Sequence, residues 1–305
     1  SLCVGLALPV WLNYLVDILS DKKSVSGIAF MLIAQNIAKL IGSMVIVKIV
    51  DTYSFSIDSS ALVFIGVGTL LTIGSLFFIV TKEVPELDGS NVSEESFIKH
   101  TLTSLRHMLK NRNFLTFLAG DFEFFIIVTV VSFYANYATT YCNVDPAIAS
   151  GFFVAFIYLG AISANFFMGT LGYLSIKNKY KLSKLTSTTA LLLMILFQYT
   201  WIFFISSYLM GISRGARMVS MAPATKKLSG LPDSTSYFAL APLITLPFAT
   251  ALPMLTGNFL DNYSHLGGDA YRIVFSVGIV LICISFFFIH KTDFGAEQKS
   301  GSERE

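Results

Sequence analysis

Nine apolar segments constrain this chain more than anything else in it: residues 2–19, 26–50, 60–81, 113–139, 147–174, 184–199, 201–224, 237–260 and 271–290. A bilayer hydrocarbon core about 30 Å thick takes roughly 20 residues of helix. Within lipid, a helix bonds every backbone N–H and C=O inside its own segment, so nine such runs predict nine transmembrane helices and an all-α polytopic membrane protein. Composition agrees. Hydrophobic residues are 54% of the chain, charged residues 13%, and mean hydropathy is +0.69; a soluble globule carries about 25% charged residues. At a formal net charge of +2 nothing draws the chain to nucleic acid. Cys3, Cys142 and Cys283 fall in different segments, which argues against a disulfide framework or a metal site. No phosphate-binding loop, zinc spacing or nucleophile elbow occurs, so no cofactor is expected.

Charge orients the segments. Residues 185–213 hold no charge and no obvious turn, so the boundary between the sixth and seventh spans is the least marked. The positive-inside rule separates them. With nine spans, the basic residues in loops and at span ends, including Lys22, Lys82, Lys177, Lys184, Lys226 and Lys291, collect on one face, and Arg272 stands on the other. Fusing the two spans would send Lys226 and Lys227 outward. The loop 82–112 and the tail 291–305 are therefore expected in the cytoplasm. In that loop, Phe97, Ile98, Leu102, Leu105, Met108 and Leu109 recur at helical spacing. That pattern suits an amphipathic helix on the inner membrane surface, or else a plain solvated connector.

The chain also resembles itself. Asp51, Tyr53 and Ser54 realign on Asp261, Tyr263 and Ser264, followed by Val67-Gly68 on Val277-Gly278 and Ser75, Phe77, Phe78 and Ile79 on Ser285, Phe287, Phe288 and Ile289. Six spans separate the copies, so both point the same way through the membrane. Parallel six-helix repeats relate the two halves of one class of transporter. On that plan the first three spans match the last three, and the partners of the middle three would precede Ser1.

These residues resemble the major facilitator superfamily, from that family's fourth helix to its twelfth. The resemblance rests on Gly5-x-x-x-Pro9-x-Trp11, on Gly27-x-x-Phe30 after a short basic loop, on Asn111-Arg112-Asn113-Phe114, and on Pro253-x-x-x-Gly257-x-x-x-Asp261. Gly169-Thr170-Leu171-Gly172 with Lys177, Lys179 and Lys181 stands where the family's basic cytoplasmic signature falls, without the signature's Asp. The resemblance implies residues 1–81 as part of an N-terminal bundle, 82–112 as a cytoplasmic linker, 113–290 as a six-helix bundle and 291–305 as a tail. It also implies solute transport by alternating access.

A charge inside a membrane needs a reason, since it costs several kcal/mol. Lys39, Asp121, Glu123, Arg214 and Arg217 all lie within spans. Gln35 and Lys39 share a helix face, with Asn36 beside them, and Arg214 and Arg217 share another. Asp121 and Glu123 are about 200° apart on a helix. One reading has Lys39, Gln35, Asn36, Arg214 and Asn165 bind substrate while Asp121 or Glu123 takes up a proton or gates with Arg217. The other has Asp121 or Glu123 in a structural ion pair with Arg217, and Asn165 in an interhelical hydrogen bond. Pro242, Pro247 and Pro253 make the eighth span a bending gate or a fixed kink.

The expectation is a secondary active transporter of a small solute, coupled to a proton or another ion. It would work as a monomer in the lipid bilayer of the plasma or inner membrane. Three intramembrane cations against two acids lean it towards anionic substrates. A non-transporting receptor or scaffold, or a membrane-embedded enzyme, is the alternative. None of the four histidines lies mid-span, which counts against the enzyme.

Overall fold

The computed structural model describes residues 21–53, 57–76, 97–231 and 234–295. The expected span 2–19, the first part of the linker and the end of the tail lie outside the described residues. Those described form ten α-helices and no strand. They are α1 (Asp21–Tyr53), α2 (Ile57–Leu76), α3 (Phe97–Lys110), α4 (Arg112–Asp121), α5 (Glu123–Tyr141), α6 (Pro146–Ala164), α7 (Ile176–Leu196), α8 (Thr200–Ser229), α9 (Thr235–Asn262) and α10 (Gly268–Lys291). A π-helical stretch, Asn165–Thr170, continues α6. Among the described residues four helical runs are long and apolar enough to cross a membrane: Arg112–Tyr141, Gly151–Thr170, Thr235–Asn262 and Gly268–Lys291.

Several boundaries differ from the expected spans, each for a local reason. The span 113–139 is two helices in near-continuous line, parted at Phe122. The span expected at 184–199 starts earlier: Ser175 caps α7, its Oγ accepting from the Asn178 N–H, and the helix stops at Leu196. Phe197–Tyr199 then turn in extended backbone, so the sixth and seventh spans are separate helices. α8 runs through Pro223 to Ser229, where Gly230 ends it at φ +65°. α9 remains one helix across Pro242, Pro247 and Pro253. Asp51 and Tyr53 sit at the end of α1, and their counterparts Asp261 and Tyr263 at the end of α9.

α8 is the centre of the bundle. It packs most extensively on α6 and α7, while α10 closes on α7, α4 and α5. The main core fills the space between them with Tyr134, Tyr137, Phe153, Leu191, Phe203 and Phe275. α1 lies across α8 and α9 through Ile28, Ala29 and Leu32 against Val219, Ala222 and Phe238. Among the described residues α2 packs mainly on the edge of α1, and its apolar side chains are exposed from Phe64 to Leu76. The hydroxyls of Thr69, Thr72 and Ser75 there bond back to carbonyls of their own helix, which suits a surface without water.

The linker segment is a helix, and it docks. Met108 of α3 is fully buried and Leu105 packs beside it against a core of Phe114, Phe117, Tyr180 and Tyr237, while Leu102 and Leu109 remain exposed. Asn111 caps α4 by accepting from the Phe114 N–H at 3.0 Å, and its amide donates to the Leu228 carbonyl at 2.9 Å. Asn113 clasps Asp293 through two backbone bonds of 2.7 and 2.9 Å. The Asn111–Phe114 motif thus ties linker, bundle and tail together.

Candidate substrate-binding site

Close helix contact positions the site. A Cβ at Gly160 would lie 2.1 Å from the Tyr208 carbonyl oxygen, and one at Gly211 2.1 Å from that of Ile157. Only small residues let α6 and α8 cross with their backbones touching, as is common between helices in lipid. α1 reaches the same crossing, because a Cβ at Gly169 would meet the Ala29 Cβ at 2.3 Å. Three helices therefore converge where α6 widens into its π-helical stretch, a feature frequent at functional sites.

A cleft opens there. It is lined by Gln35, Asn36 and Lys39 from α1, Asn165 from the π-helical stretch and Arg214 from α8. These are the five residues expected to bind substrate, brought to one place. Its free volume is about 10 Å³, room for about one water. Asn36 is buried, Lys39 and Arg214 partly so, and Gln35 is exposed. Asn165 is completely buried, yet neither its amide nitrogen nor its carbonyl oxygen has a hydrogen-bond partner. The interhelical bond that the sequence suggests for it is not made. Among the described residues no carboxylate pairs with Arg214 or Lys39. Two cations without a carboxylate partner among the described residues and an orphaned amide thus border the cleft.

The other expected residues lie one turn away and are fully engaged. Arg217 grips Asp121 with both arms of its fork, Nε to Oδ1 at 2.8 Å and Nη2 to Oδ2 at 2.6 Å. Its guanidinium also lies 3.9 Å from the centre of the Phe124 ring. Glu123 accepts from Lys184 Nζ at 2.7 Å, from Ser183 Oγ at 2.6 Å, from Ser213 Oγ at 2.7 Å and from Ser187 Oγ. All of these charged and hydroxyl side chains are buried. The break at Phe122 reconciles the two acids, since each turns to a different partner on the α7–α8 side.

The sequence places Lys184 among the basic residues of the cytoplasmic face, and here the structure differs. Its side chain is 1% exposed, inside the bundle. A signal for it exists: Tyr180, Ser183, Lys184 and Ser187 recur at helical spacing and form a buried stripe, while Leu185 and Leu192 on the opposite face are exposed. A polar stripe at that period in a greasy helix marks an inward face.

Arg214 has a second neighbour space. A cavity of about 250 Å³ lies between α5, α6 and α8, bordered by Arg214, Glu123, Ser213 and Arg217 and by apolar side chains.

Cations in apolar helices with no carboxylate partner among the described residues mark a candidate functional site. No curated protein and no solved structure matches the chain. The family model described as Major Facilitator Superfamily matches residues 1–222 of the 305. With that match over most of its length and an all-helical fold, the chain is a multi-pass membrane protein that belongs to the major facilitator superfamily, a family of transporters of small solutes.

Proposed function

We propose that the protein is a secondary active transporter that moves a small anionic solute by alternating access, with Arg214, Lys39, Asn165, Gln35 and Asn36 holding the anion. One observation carries the reading: Asn165 is wholly buried with both amide atoms unpaired, beside two cations that have no carboxylate partner among the described residues. An unsatisfied buried polar group costs about 1–3 kcal/mol. A solute that brings acceptors to Arg214 and Lys39, and a partner to the amide, removes that cost on binding. Two like charges facing an empty cleft repel each other, and an anion between them turns repulsion into attraction.

Coupling belongs to the neighbouring acids. Asp121 and Glu123 are each buried in an ion pair, so proton uptake at either requires its partner to let go. Opening of the Asp121–Arg217 or Glu123–Lys184 pair is the step that would link a proton or another ion to the cycle. The domain plan follows the sequence: a partial bundle over 1–81, a linker over 82–112, a six-helix bundle over 113–290 and a tail over 291–305. The transporter would act as a monomer in the plasma or inner membrane.

Uptake and exchange assays on the full-length protein in liposomes test this. Arg214→Gln is expected to abolish transport of the solute while the protein still reaches the membrane. Glu123→Gln is expected to spare exchange and remove gradient-driven uptake if that acid carries the proton. A fully active Arg214→Gln protein would end the anion reading. A protein that binds its solute yet never moves it would be a receptor instead.

A further inference from the structure

The anion site shares Arg214 with a largely apolar compartment, and the two together define a class of substrate. We propose that the solute is a small amphipathic organic anion. Its charged head lies at Arg214, and its apolar body lies in the cavity between α5, α6 and α8. This rests on the anion reading above and deepens it.

Arg214 alone lines both spaces among the described residues. On one side of it is the polar cleft, with about 10 Å³ free. That is room for about one water. On the other side is the cavity of about 250 Å³, whose wall is Phe124, Ile127, Val128, Val131, Ile157 and Met210. The charged groups that also touch this cavity offer nothing to a second ion. Glu123 is held by Lys184 and three serine hydroxyls, and Arg217 by Asp121 and the Phe124 ring. Among the described residues the free charge of the cavity is therefore Arg214, at its edge; Ser132 and Ser213 add hydroxyls, and the remaining wall is apolar.

That arrangement rejects two simpler ligands. An inorganic anion satisfies Arg214 and leaves the apolar wall in contact with water. A neutral apolar molecule fills the cavity and leaves Arg214, Lys39 and Asn165 unsatisfied. A carboxylate with an apolar body does both jobs. Arg suits the head, because its planar fork can bond a carboxylate with two donors and still keep others for Asn165 or water. Met210 suits the body, since an unbranched thioether adapts to differently shaped neighbours. Volume bounds the size. A cavity of about 250 Å³ lies just below the range of ordinary small-molecule pockets, so it takes a compact body rather than a full-length acyl chain.

The test is a homologous series. Purified full-length protein is titrated with acetate, butyrate, hexanoate, phenylacetate, decanoate and palmitate, read by thermal shift and by competition in transport. Matched neutral amides and inorganic phosphate serve as controls. Affinity is expected to tighten roughly fourfold for each added methylene, to peak near the size of hexanoate or phenylacetate, and to fall by decanoate. Val131→Trp, which narrows the cavity, is expected to move the optimum to shorter anions, and Val131→Ala to longer ones.

A flat profile with chain length, or neutral amides binding as tightly as the acids, overturns the amphipathic proposal and leaves the anion reading standing. An optimum at palmitate overturns it too, and assigns the cavity to a membrane fatty acid. Failure of every anion, phosphate included, to bind the wild-type protein overturns both.

Discussion

Two groups of charge sit on one helix, one turn apart, and they are built in opposite ways. Arg217 and Ser213 of α8 face the acids of α4 and α5, where every carboxylate oxygen is bonded: a forked bond to Asp121, and four donors around Glu123. Arg214 faces α1 and the π-helical stretch, where Lys39 adds a like charge and Asn165 has no partner at all. Buried polar networks that are complete hold helices in one arrangement, whereas an incomplete one is a standing cost. The first group therefore holds the helices together until one of its pairs opens, as the proposed coupling requires, and the second is the proposed solute site. The same residue type, three positions along one helix, is paired or unpaired according to what the neighbouring helices present to it.

The largest expected effect tests the complete side. Lys184→Ala leaves Glu123 buried without its cation, and breaking a buried pair in this way costs about 3–5 kcal/mol. Unfolding of the purified protein in denaturing detergent should read that loss. The double variant Glu123→Gln with Lys184→Met should recover most of it, as a double-mutant cycle for a true pair requires. If the double variant is as unstable as the single one, the two residues do not act as a pair.

A smaller loss is expected at the neighbouring bridge. Arg217→Lys keeps the charge but gives up the two-pronged bond and the flat contact with Phe124. One charged hydrogen bond is worth about 1.5–3 kcal/mol, and the same unfolding measurement should show a loss of that size. An unchanged unfolding curve would mean that Asp121 needs only a nearby charge, not the fork.

The smallest effect on stability, paired with a large one on activity, is expected in the cleft. Asn165→Leu replaces an unpaired amide by an apolar group of similar size. Stability should change by less than about 1 kcal/mol, or rise. Transport should nonetheless fall tenfold or more, and solute affinity with it. If Asn165→Leu destabilises the protein as much as Lys184→Ala, the contrast between the two groups collapses.

Much of this contrast is legible in the amino-acid sequence. The apolar runs predict the helices, and the separation of α7 from α8 follows from charge bias across an unmarked boundary. Depth and helical spacing single out Gln35, Asn36, Lys39, Asn165 and Arg214, and these line one cleft. The signature of Gly160 at the α6–α8 crossing is readable as a small residue in an apolar helix. The glycines of α2 look alike in sequence, yet a Cβ at Gly66, Gly68 or Gly74 would meet nothing within 4 Å among the described residues. Lys184 is harder to read, because a basic residue near the end of a span fits the cytoplasm as well as the bundle, and only the polar stripe of Tyr180, Ser183, Lys184 and Ser187 marks it as inward.

The division has a physical cause. Sequence alone determined that the chain is a set of membrane helices with charges inside them, because lipid obliges each segment to satisfy its own backbone and because an intramembrane charge is conspicuous by its cost. Those are properties of one segment at a time. Only the tertiary structure decided which charge meets which. Pairing depends on how each helix is rotated against its neighbours, and that rotation is set by close contacts such as Gly211 on the Ile157 carbonyl and Gly169 on Ala29. The same packing brought Lys184 to Glu123 and Arg217 to Asp121, and left Asn165 beside Arg214 with nothing to bind.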